Sequence, residues 1–175
     1  ALTMAGTIGI GAVLGIIAGY FRGIAEEIIM RIVDVMLSFP SQIMVFAVVA
    51  LLGVSVQNVI IANVFIKWAW YARMIRTGVM QYRDKNFVQF SRCVGMPERF
   101  ILFRHLLPSI TSDLAVLASL DIGWAIINIS TLSFLGLGVQ APTPEWGAML
   151  NEAKEVLTSN PTQMLAPGIA IVALV

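Results

Sequence analysis

The chain has 175 residues, of which 58% are hydrophobic and 12% are charged, and its mean hydropathy is +0.87. A soluble domain carries about 25% charged residues, so this chain lacks the polar surface that would cover a globule in water. The single cysteine excludes an internal disulfide framework, and the formal net charge of +1 gives no sign of nucleic-acid binding. The class that remains is a polytopic membrane protein.

The hydrophobic runs predict four membrane-spanning helices and the beginning of a fifth, because a spanning helix needs about 20 mostly apolar residues. The expected bounds are 1–20, 41–56, 59–80, 114–138 and 164 onward. No Met or basic residue precedes the first run, so a signal peptide is not predicted, and Val175 interrupts the last run. We therefore expect a fragment of a longer subunit that forms a single transmembrane domain over 1–175.

Three segments between these runs are polar enough to lie outside the membrane core. Residues 24–39 predict a short amphipathic connector, and residues 81–112 form the longest hydrophilic loop. Residues 139–163 contain a Pro-rich turn followed by an amphipathic helix, for which Thr143 is the expected N-cap and Pro144 the first helical residue.

The basic residues predict the orientation, since cytoplasmic loops carry an excess of Lys and Arg. Eight of the 11 basic residues lie between Lys67 and Arg104, two lie in or beside the first connector, and one follows residue 138. The connector and the 81–112 loop are therefore predicted to be cytoplasmic. The 139–163 segment is predicted to be extracytoplasmic.

Glycines recur every four residues in the first span, at Gly11, Gly15 and Gly19. A nucleotide-binding loop would need a preceding strand and a helix start, which an uncharged apolar run does not offer. Small-xxx-small spacing instead allows helix backbones to approach closely in lipid. We expect this face to pack against another span.

Side chains suited to catalysis or metal binding are scarce. With one histidine and one cysteine, a zinc site of the usual ligand types is not expected. No GxxxxGK[ST], HExxH or GxSxG motif occurs. His105 lies in a basic loop, where a surface or interface position is favoured over a role as a base. The sequence predicts no enzyme and no metal or cofactor bound by this chain.

The cytoplasmic loop predicts two short helices that meet at a glycine. Asp84 suits the N-cap of the first helix, and Gly95 suits its end. Pro97 suits the first position of the second helix, with Glu98 in its first turn. Such a compact knob fits a cleft in a partner protein, although the same helix pair could instead lie on the lipid headgroups.

This loop resembles the coupling loop of ABC importer permeases, whose pattern is E-A-A-x-x-x-G, nine residues, then I-x-L-P. Gly95 matches the glycine and Leu107-Pro108 the final pair, while Gln89-Phe90-Ser91 replaces Glu-Ala-Ala. The resemblance implies contact with ATPase subunits at Gln89, Phe90, Ser91, Gly95, Leu107 and Pro108.

Further motifs extend the resemblance over nearly the whole chain. They are Asp34-Val35-Met36-Leu37-Ser38-Phe39-Pro40, Trp70-Tyr71-Ala72-Arg73, Leu132-Ser133-Phe134-Leu135-Gly136-Leu137-Gly138 and Pro142-Thr143-Pro144-Glu145-Trp146-Gly147. In this order they resemble the C-type subunit of the dipeptide/oligopeptide/nickel permease family. The resemblance implies an all-α polytopic membrane protein with the six-span helix bundle of type I (MetI-like) ABC importers. The first span and the end of the last would then be missing here.

Polar residues inside two predicted spans are candidates for lining a pathway. Asp121, Trp124 and Asn128 recur at i, i+3 and i+7 on one helical face, and Asn63 and Lys67 are four residues apart on the preceding span. An acidic residue within a span is a functional hypothesis by default. The alternative is that Lys67 and Asp121 pair with each other or with a partner permease and only hold helices together.

The predicted extracytoplasmic helix has an apolar face and an acidic face. The acidic face carries Glu145, Glu152 and Glu155, which could contact a substrate-delivery protein. A helix that lies on the membrane surface with Trp146 at headgroup level is the alternative.

The resemblance implies a permease subunit of an ATP-driven importer in the prokaryotic cytoplasmic membrane. Its expected partners are a second permease, two ATPase subunits that bind ATP and Mg, an extracytoplasmic binding protein and membrane lipid, with no nucleic acid. The substrate would be nickel, another metal–chelator complex or a di- or oligopeptide. A channel or structural membrane subunit without an ATPase partner is the alternative function.

Overall fold

The computed structural model describes residues 2–139 and 143–175, and these residues form helices and no strands. The described chain divides into two compact units. The first unit comprises Ala1–Phe39 and Ile66–Ala118, and the second comprises Pro40–Phe65 and Ser119–Val175. An all-α architecture agrees with the composition, because helices satisfy all their backbone hydrogen bonds internally and so can lie in lipid.

Eight α-helices follow one another along the described chain. Their bounds are α1 Leu2–Phe21, α2 Ile24–Ser38, α3 Ser41–Leu52, α4 Val56–Arg83, α5 Asn86–Cys93, α6 Glu98–Phe134, α7 Trp146–Glu155 and α8 Leu165–Leu174. A π-helical stretch, Ile101–Leu106, lies within α6, and a 3₁₀ turn, Pro161–Met164, precedes α8.

In the first unit α1 packs closely against α4, as the glycine spacing predicts. Gly11, Gly15 and Gly19 are all buried. A Cβ atom built at Gly15 would lie only 2.6 Å from the carbonyl oxygen of Ala72 and 2.9 Å from Cβ of Ile75. The absence of side chains at these positions is therefore what allows the two backbones to approach.

Two ion pairs join the amphipathic α2 to α4. Nε of Arg76 donates to Oε1 of Glu26 over 2.7 Å, and Arg73 pairs with Asp34. Between these pairs the buried Val33 packs against Ala69 and Ala72 of α4. The connector predicted from the sequence is thus a helix held to the third predicted span by apolar packing and by charge.

The core of the first unit also includes the cytoplasmic loop. Val88 of α5 and Ile101, Leu106 and Ile110 of α6 are buried in one cluster with residues of α1 and α4. The members from α1 and α4 are Tyr20, Tyr71, Ile75 and Val79. The loop is therefore packed onto the ends of spanning helices and is not a flexible tether.

The second unit contains α3, the first part of α4, the part of α6 beyond residue 118, and the C-terminal helices. The α3–α4 turn is closed by Asn58, whose Nδ2 donates to the carbonyl oxygens of Leu52 and Gly53, each over 2.8 Å. Residues 53–58 therefore form a tight connection between α3 and α4. The predicted second span, 41–56, is wrong in extent, because α3 covers only Ser41–Leu52 and 12 residues are too short to cross a bilayer alone.

Two of the described helices, α1 and α6, are long and apolar enough to cross a membrane. The α2–α3 pair meets the same condition only if both helices are counted together, which gives up to three spans. The 28 residues of α4 extend over about 42 Å, which is longer than the bilayer core. Its charged and polar residues, however, make α4 less apolar than α1 and α6, and it is not counted among the two. The predicted fourth span was expected to begin at Leu114, yet its helix already begins at Glu98.

Candidate functional site

The candidate site is the knob that α5 and the first turns of α6 form, which we call the coupling knob (residues 84–108). Its first helix begins at Asn86 with Lys85 at the N-cap, and no side chain caps it. The expectation that Asp84 is the N-cap is therefore wrong. The carbonyl oxygen of Asp84 instead accepts a hydrogen bond from Nε2 of Gln89 over 3.2 Å, and its carboxylate lies 3.9 Å from Arg22.

The turn between the two knob helices is closed at Gly95, as predicted. The backbone N–H of Gly95 donates to the carbonyl of Arg92 over 2.9 Å, and the N–H of Met96 donates to the carbonyl of Ser91 over 3.0 Å. This pair of bonds is a Schellman motif, which requires a left-handed residue after the helix. Gly95 has φ +80°, a conformation that other residues adopt only with strain.

The second knob helix is the first part of α6, which runs on beyond the knob without a non-helical residue. Pro97 occupies the N-cap and Glu98 begins the helix, so the prediction that Pro97 is the first helical residue is wrong by one position. Pro108 lies inside α6, where a proline ring clashes with the carbonyl four residues earlier, that of Arg104. The π-helical stretch, Ile101–Leu106, ends two residues before Pro108, which agrees with a local widening of the helix to relieve that clash.

A histidine that the sequence did not assign to the site joins the two knob helices. Nε2 of His105 lies 3.2 Å from Oγ of Ser91, within hydrogen-bond distance. The His105 ring also meets the edges of Phe87 and Phe100, with centroid separations of 5.9 and 5.6 Å. His105 therefore links the two knob helices, and its side chain is only partly buried, which agrees with the predicted surface or interface position.

The outer face of the knob exposes large apolar side chains. Phe90 is 70% exposed and Phe103 is 71% exposed, and Val94 between the helices is also exposed. Exposed aromatic residues of this size mark a surface that contacts another molecule.

The six residues assigned to coupling divide into outward and inward groups. Gln89, Phe90 and Pro108 are exposed, whereas Ser91 is buried and Leu107 packs against the core of the unit. Gly95 shapes the turn. The outward residues can reach a partner, and the inward ones fix the shape that is presented to it.

A cleft between α4 and α6, lined mainly by apolar side chains, was not predicted from the sequence. Its volume is about 390 Å³, and its lining includes the polar residues Thr77, Gln81 and Asp113. Thr77 and Gln81 are four residues apart on α4, which places them on one face. This spacing could have indicated a polar strip on α4, but the neighbouring residues do not show which helix packs against that face.

The residues predicted to line a pathway belong to both units of the chain. In the second unit Asn63 is buried, and its Nδ2 donates to the carbonyl of Val59 over 2.8 Å. Trp124 is exposed, and Nδ2 of Asn128 donates to its carbonyl over 2.8 Å. Lys67 belongs to the first unit and Asp121 to the second, and both are partly buried. Their role in a pathway stays a prediction.

The predicted extracytoplasmic helix is present as α7, but its start differs from the prediction. Glu145 is the N-cap, and its Oε2 accepts a hydrogen bond from the backbone N–H of Ala148 over 3.0 Å. Thr143 and Pro144 lie before the helix, so the expected N-cap and first residue are wrong. The preceding part of the Pro-rich turn, 140–142, lies outside the described residues.

The N-terminus of α7 is fastened to α6. Oγ of Ser130 donates to Oε1 of Glu145 over 2.9 Å. At Gly147 a Cβ atom would lie 2.0 Å from the carbonyl oxygen of Ser130, so only glycine fits. Both carboxylate oxygens of Glu145 are therefore engaged within the chain, whereas Glu152 and Glu155 are exposed. The docking role given to these three acids stays a prediction.

Metal ligands are not clustered in the described chain. No group of three or more His, Cys, Asp or Glu side chains that could hold a metal ion occurs within residues 2–139 and 143–175.

Residues 11–175 match the family model described as the binding-protein-dependent transport system inner membrane component. The chain belongs to this family. Its membership confirms the expected all-α permease fold, and the family description places this inner-membrane component in the prokaryotic cytoplasmic membrane.

Several curated permeases of this kind are similar to the chain. The metal-staphylopine import system permease protein CntC of Staphylococcus aureus is 47% identical over 150 residues, which cover 86% of this chain and 52% of the relative. The nickel transport system permease protein NikC of Escherichia coli is 42% identical over 162 residues, 93% of this chain and 58% of the relative. The dipeptide transport system permease protein DppC of Alkalihalophilus pseudofirmus is 40% identical over 165 residues, 94% and 54% respectively. The chain spans about half the length of these inner-membrane components.

Proposed function

We propose that the chain is part of the permease subunit of an ATP-driven importer, forms half of its substrate pathway and couples to ATPase subunits through the coupling knob. The observation that carries this proposal is the continuity of the knob with α6, a single helix from Glu98 to Phe134. ATP and Mg would be bound by the ATPase subunits and not by this chain.

The continuity of α6 supports transmission of movement. A helix of 37 residues is about 55 Å long, and its π-helical stretch and Pro108 both lie within the knob, before the predicted span that begins at Leu114. Closure of the ATPases on ATP would displace the knob, and α6 would move with it. A bound extracytoplasmic protein would then release substrate into an outward-open pathway, and hydrolysis would reset the cycle.

The exposed aromatic residues of the knob supply the contact for this step. Phe90 and Phe103 would enter apolar clefts on the ATPases, while Ser91 and His105 hold the two knob helices at a fixed distance. The complete assembly would contain this subunit, a second permease, two ATPases and the binding protein.

Photo-crosslinking tests the coupling proposal. A photoreactive phenylalanine at Phe90 of the full-length subunit is expected to crosslink to an ATPase, whereas one at Leu120, which is 67% exposed on α6, is expected not to. A crosslink from neither position, in membranes that contain candidate ATPase subunits, would contradict coupling and favour a channel or structural subunit without an ATPase partner.

For the substrate, we propose a metal–chelator complex or nickel, with di- or oligopeptides as the alternative. Support comes from the relative named for metal-staphylopine, at 47% identity, whereas the relatives named for nickel and glutathione, each at 42%, and for dipeptides, at 40%, are similar to the chain to nearly the same extent. Identification of the ligand that co-purifies with the cognate binding protein tests this choice. A bound peptide without metal would overturn the metal assignment and leave the coupling proposal intact.

We also propose that Lys67 and Asp121 contribute to the pathway together with Asn63, Trp124 and Asn128. The support is the polar stripe on each of two helices in an otherwise apolar environment. A charge swap, Lys67→Asp with Asp121→Lys, is expected to preserve assembly but impair transport. Full transport in the double variant would show that the two residues only pair.

Binding-protein docking is proposed for the exposed acids of α7. Because Glu145 is engaged internally, the structure favours Glu152 and Glu155 as the residues that a partner could reach. Glu152→Lys is expected to raise the concentration of binding protein needed for half-maximal transport. An unchanged requirement would favour the membrane-surface role of α7.

A further inference from the structure

Three arginines and a tyrosine converge at the end of the first unit that is predicted to be cytoplasmic. We call Tyr20, Arg22, Arg83 and Arg92 the Tyr20 cluster. Cζ of Arg83 lies 5.7 Å and Cζ of Arg92 lies 5.4 Å from the centroid of the Tyr20 ring. Two guanidinium groups thus share one aromatic ring, which holds them close together despite their like charge.

Several hydrogen-bond donors in this cluster have no acceptor. Tyr20 is 4% exposed, and its hydroxyl group has no hydrogen-bond partner within residues 2–139 and 143–175. The same holds for the buried Nε and Nη1 of Arg83 and for Nε of Arg92. Arginine nitrogens can only donate, so three of these four groups require an acceptor. Buried donors are rarely left unpaired, because desolvation without a hydrogen bond is costly.

The charge of the cluster points to an acceptor that is an anion. Burial, with help from Arg92 and Arg22, lowers the pKa of the Arg83 guanidinium, as expected for a cation that lacks sufficient counter-charge. Of the nearby acids, Asp84 lies 3.9 Å from Arg22 with an exposed side chain, and Glu26 is already bound by Arg76. The chain therefore offers this site less negative charge than positive.

The position of the cluster limits the kind of anion. Tyr20 lies at the end of the apolar α1, and the neighbouring Phe21 is exposed. Arg83 ends α4 and Arg92 lies in the last turn of α5, so the basic groups lie where the predicted spans meet the cytoplasmic loop. Basic pockets between spanning helices on this side of a membrane bind anionic lipid headgroups.

We propose that the Tyr20 cluster binds the phosphate group of an anionic phospholipid in the cytoplasmic leaflet. The phosphate oxygens would accept hydrogen bonds from the arginines and from the Tyr20 hydroxyl group, and the acyl chains would lie along α1 beside Phe21. The site does not depend on the transport function, because α1, α4 and α5 form it within one unit.

The test uses the full-length subunit in detergent and native mass spectrometry with phosphatidylglycerol or phosphatidylcholine. Wild-type protein is expected to retain phosphatidylglycerol in preference to phosphatidylcholine. Arg92→Gln is expected to weaken phosphatidylglycerol retention by about tenfold, since a hydrogen bond to a charged group is lost. Tyr20→Phe removes only the hydroxyl group and is expected to weaken it by about threefold.

Arg99→Gln is the matched control, because Arg99 is an exposed arginine of the same loop and lies outside the cluster. Retention equal to wild type in Arg99→Gln supports a specific site. An equal loss in Arg99→Gln and Arg92→Gln would overturn the proposal in favour of general surface charge. So would equal retention of the two lipids by the wild-type protein.

A second arm separates a lipid from a free anion and does not require the variants to fold well. Thermal unfolding of the delipidated wild-type protein is followed with inorganic phosphate alone and with phosphatidylglycerol alone. Stabilisation by the lipid and not by phosphate supports the proposal. Stabilisation by inorganic phosphate to the same extent, with no retained lipid, would overturn the lipid assignment.

Discussion

The close approach of α1 to α4 predicts that one added methyl group separates the two helices. A Cβ atom at Gly15 would lie 2.6 Å from the carbonyl oxygen of Ala72 and 2.9 Å from Cβ of Ile75. Normal contacts are about 3.5–4.0 Å, so Gly15→Ala must move the backbones apart by roughly 0.6–1.4 Å. Overpacking of this kind costs about 1–3 kcal/mol.

Gly9 supplies an internal control on the same helix. A Cβ atom at Gly9 would meet nothing within 4 Å. Gly9→Ala and Gly15→Ala gain the same helix propensity, up to about 1 kcal/mol, so the difference between them isolates the steric term. We expect Gly15→Ala to be less stable than Gly9→Ala by about 1–3 kcal/mol.

Equilibrium unfolding in mixed detergent micelles, followed by tryptophan fluorescence, measures this difference. Gly11→Ala repeats the comparison with Gly9→Ala one helical turn away from Gly15. A Cβ atom at Gly11 would lie 2.5 Å from Cβ of Tyr71. Equal free energies of unfolding for all three variants would refute the close packing of α1 on α4.

Three further predictions concern the knob and α7. Gly95→Val places a β-branched residue at φ +80° and is expected to cost about 1–3 kcal/mol of folding free energy. We expect it to leave membrane insertion intact but to uncouple ATP hydrolysis from uptake, whereas Gly95→Asn keeps most of the coupling. Paired ATPase and uptake assays compare the two variants. Ser91→Ala removes the bond to His105 and should destabilise the knob by about 0.5–1.5 kcal/mol, measured by faster hydrogen exchange of α5 amides. Glu145→Ala removes a helix cap and should destabilise α7 by about 1–3 kcal/mol in hydrogen exchange.

Each of these predictions has an outcome that contradicts it. Normal uptake by Gly95→Val would count against the coupling role of the knob. Unchanged α5 exchange in Ser91→Ala would show that His105 does not hold the knob together. Glu152→Ala is the control for Glu145→Ala, since its side chain is exposed, and equal protection of α7 in the two variants would exclude the capping role.

The features predicted correctly from the sequence are those whose backbone geometry depends only on residues that are neighbours in the chain. The spacing of Gly11, Gly15 and Gly19 requires only that one helical face lacks side chains. Gly95 follows an amphipathic helix and supplies the left-handed residue that a Schellman turn requires. Both features are decided by a few neighbouring residues, and the structure confirms both.

Helix starts were predicted less well, because several residues compete for the same cap. Thr143 is a good N-cap by type, yet Glu145 takes that position. Glu145 also binds Ser130, which is 15 residues away in the chain. The hydrogen bond to Ser130 of α6 thus favours Glu145 over Thr143 as the N-cap, and the residues around the cap contain no information about such a partner.

Contacts between distant residues were not predictable from spacing. Ser91 and His105 are 14 residues apart and meet only because the turn at Gly95 folds α6 back onto α5. Glu26 and Arg76 are 50 residues apart. The sequence shows that these groups are polar in an apolar chain, but their partners depend on how the helices pack.

The ion pairs between α2 and α4 bear on how the subunit is inserted during synthesis. Arg73 and Arg76 are two of the charged residues that make α4 less apolar than α1 or α6. An unpaired arginine within a span raises the free energy of insertion, by up to about 2.5–3.5 kcal/mol at the centre of the span and by less toward its ends. The chain is made from its N-terminus, so Glu26 and Asp34 leave the ribosome before either arginine. The acids of α2 are therefore made before α4, and pairing with them would offset part of the cost of placing Arg73 and Arg76 in the membrane.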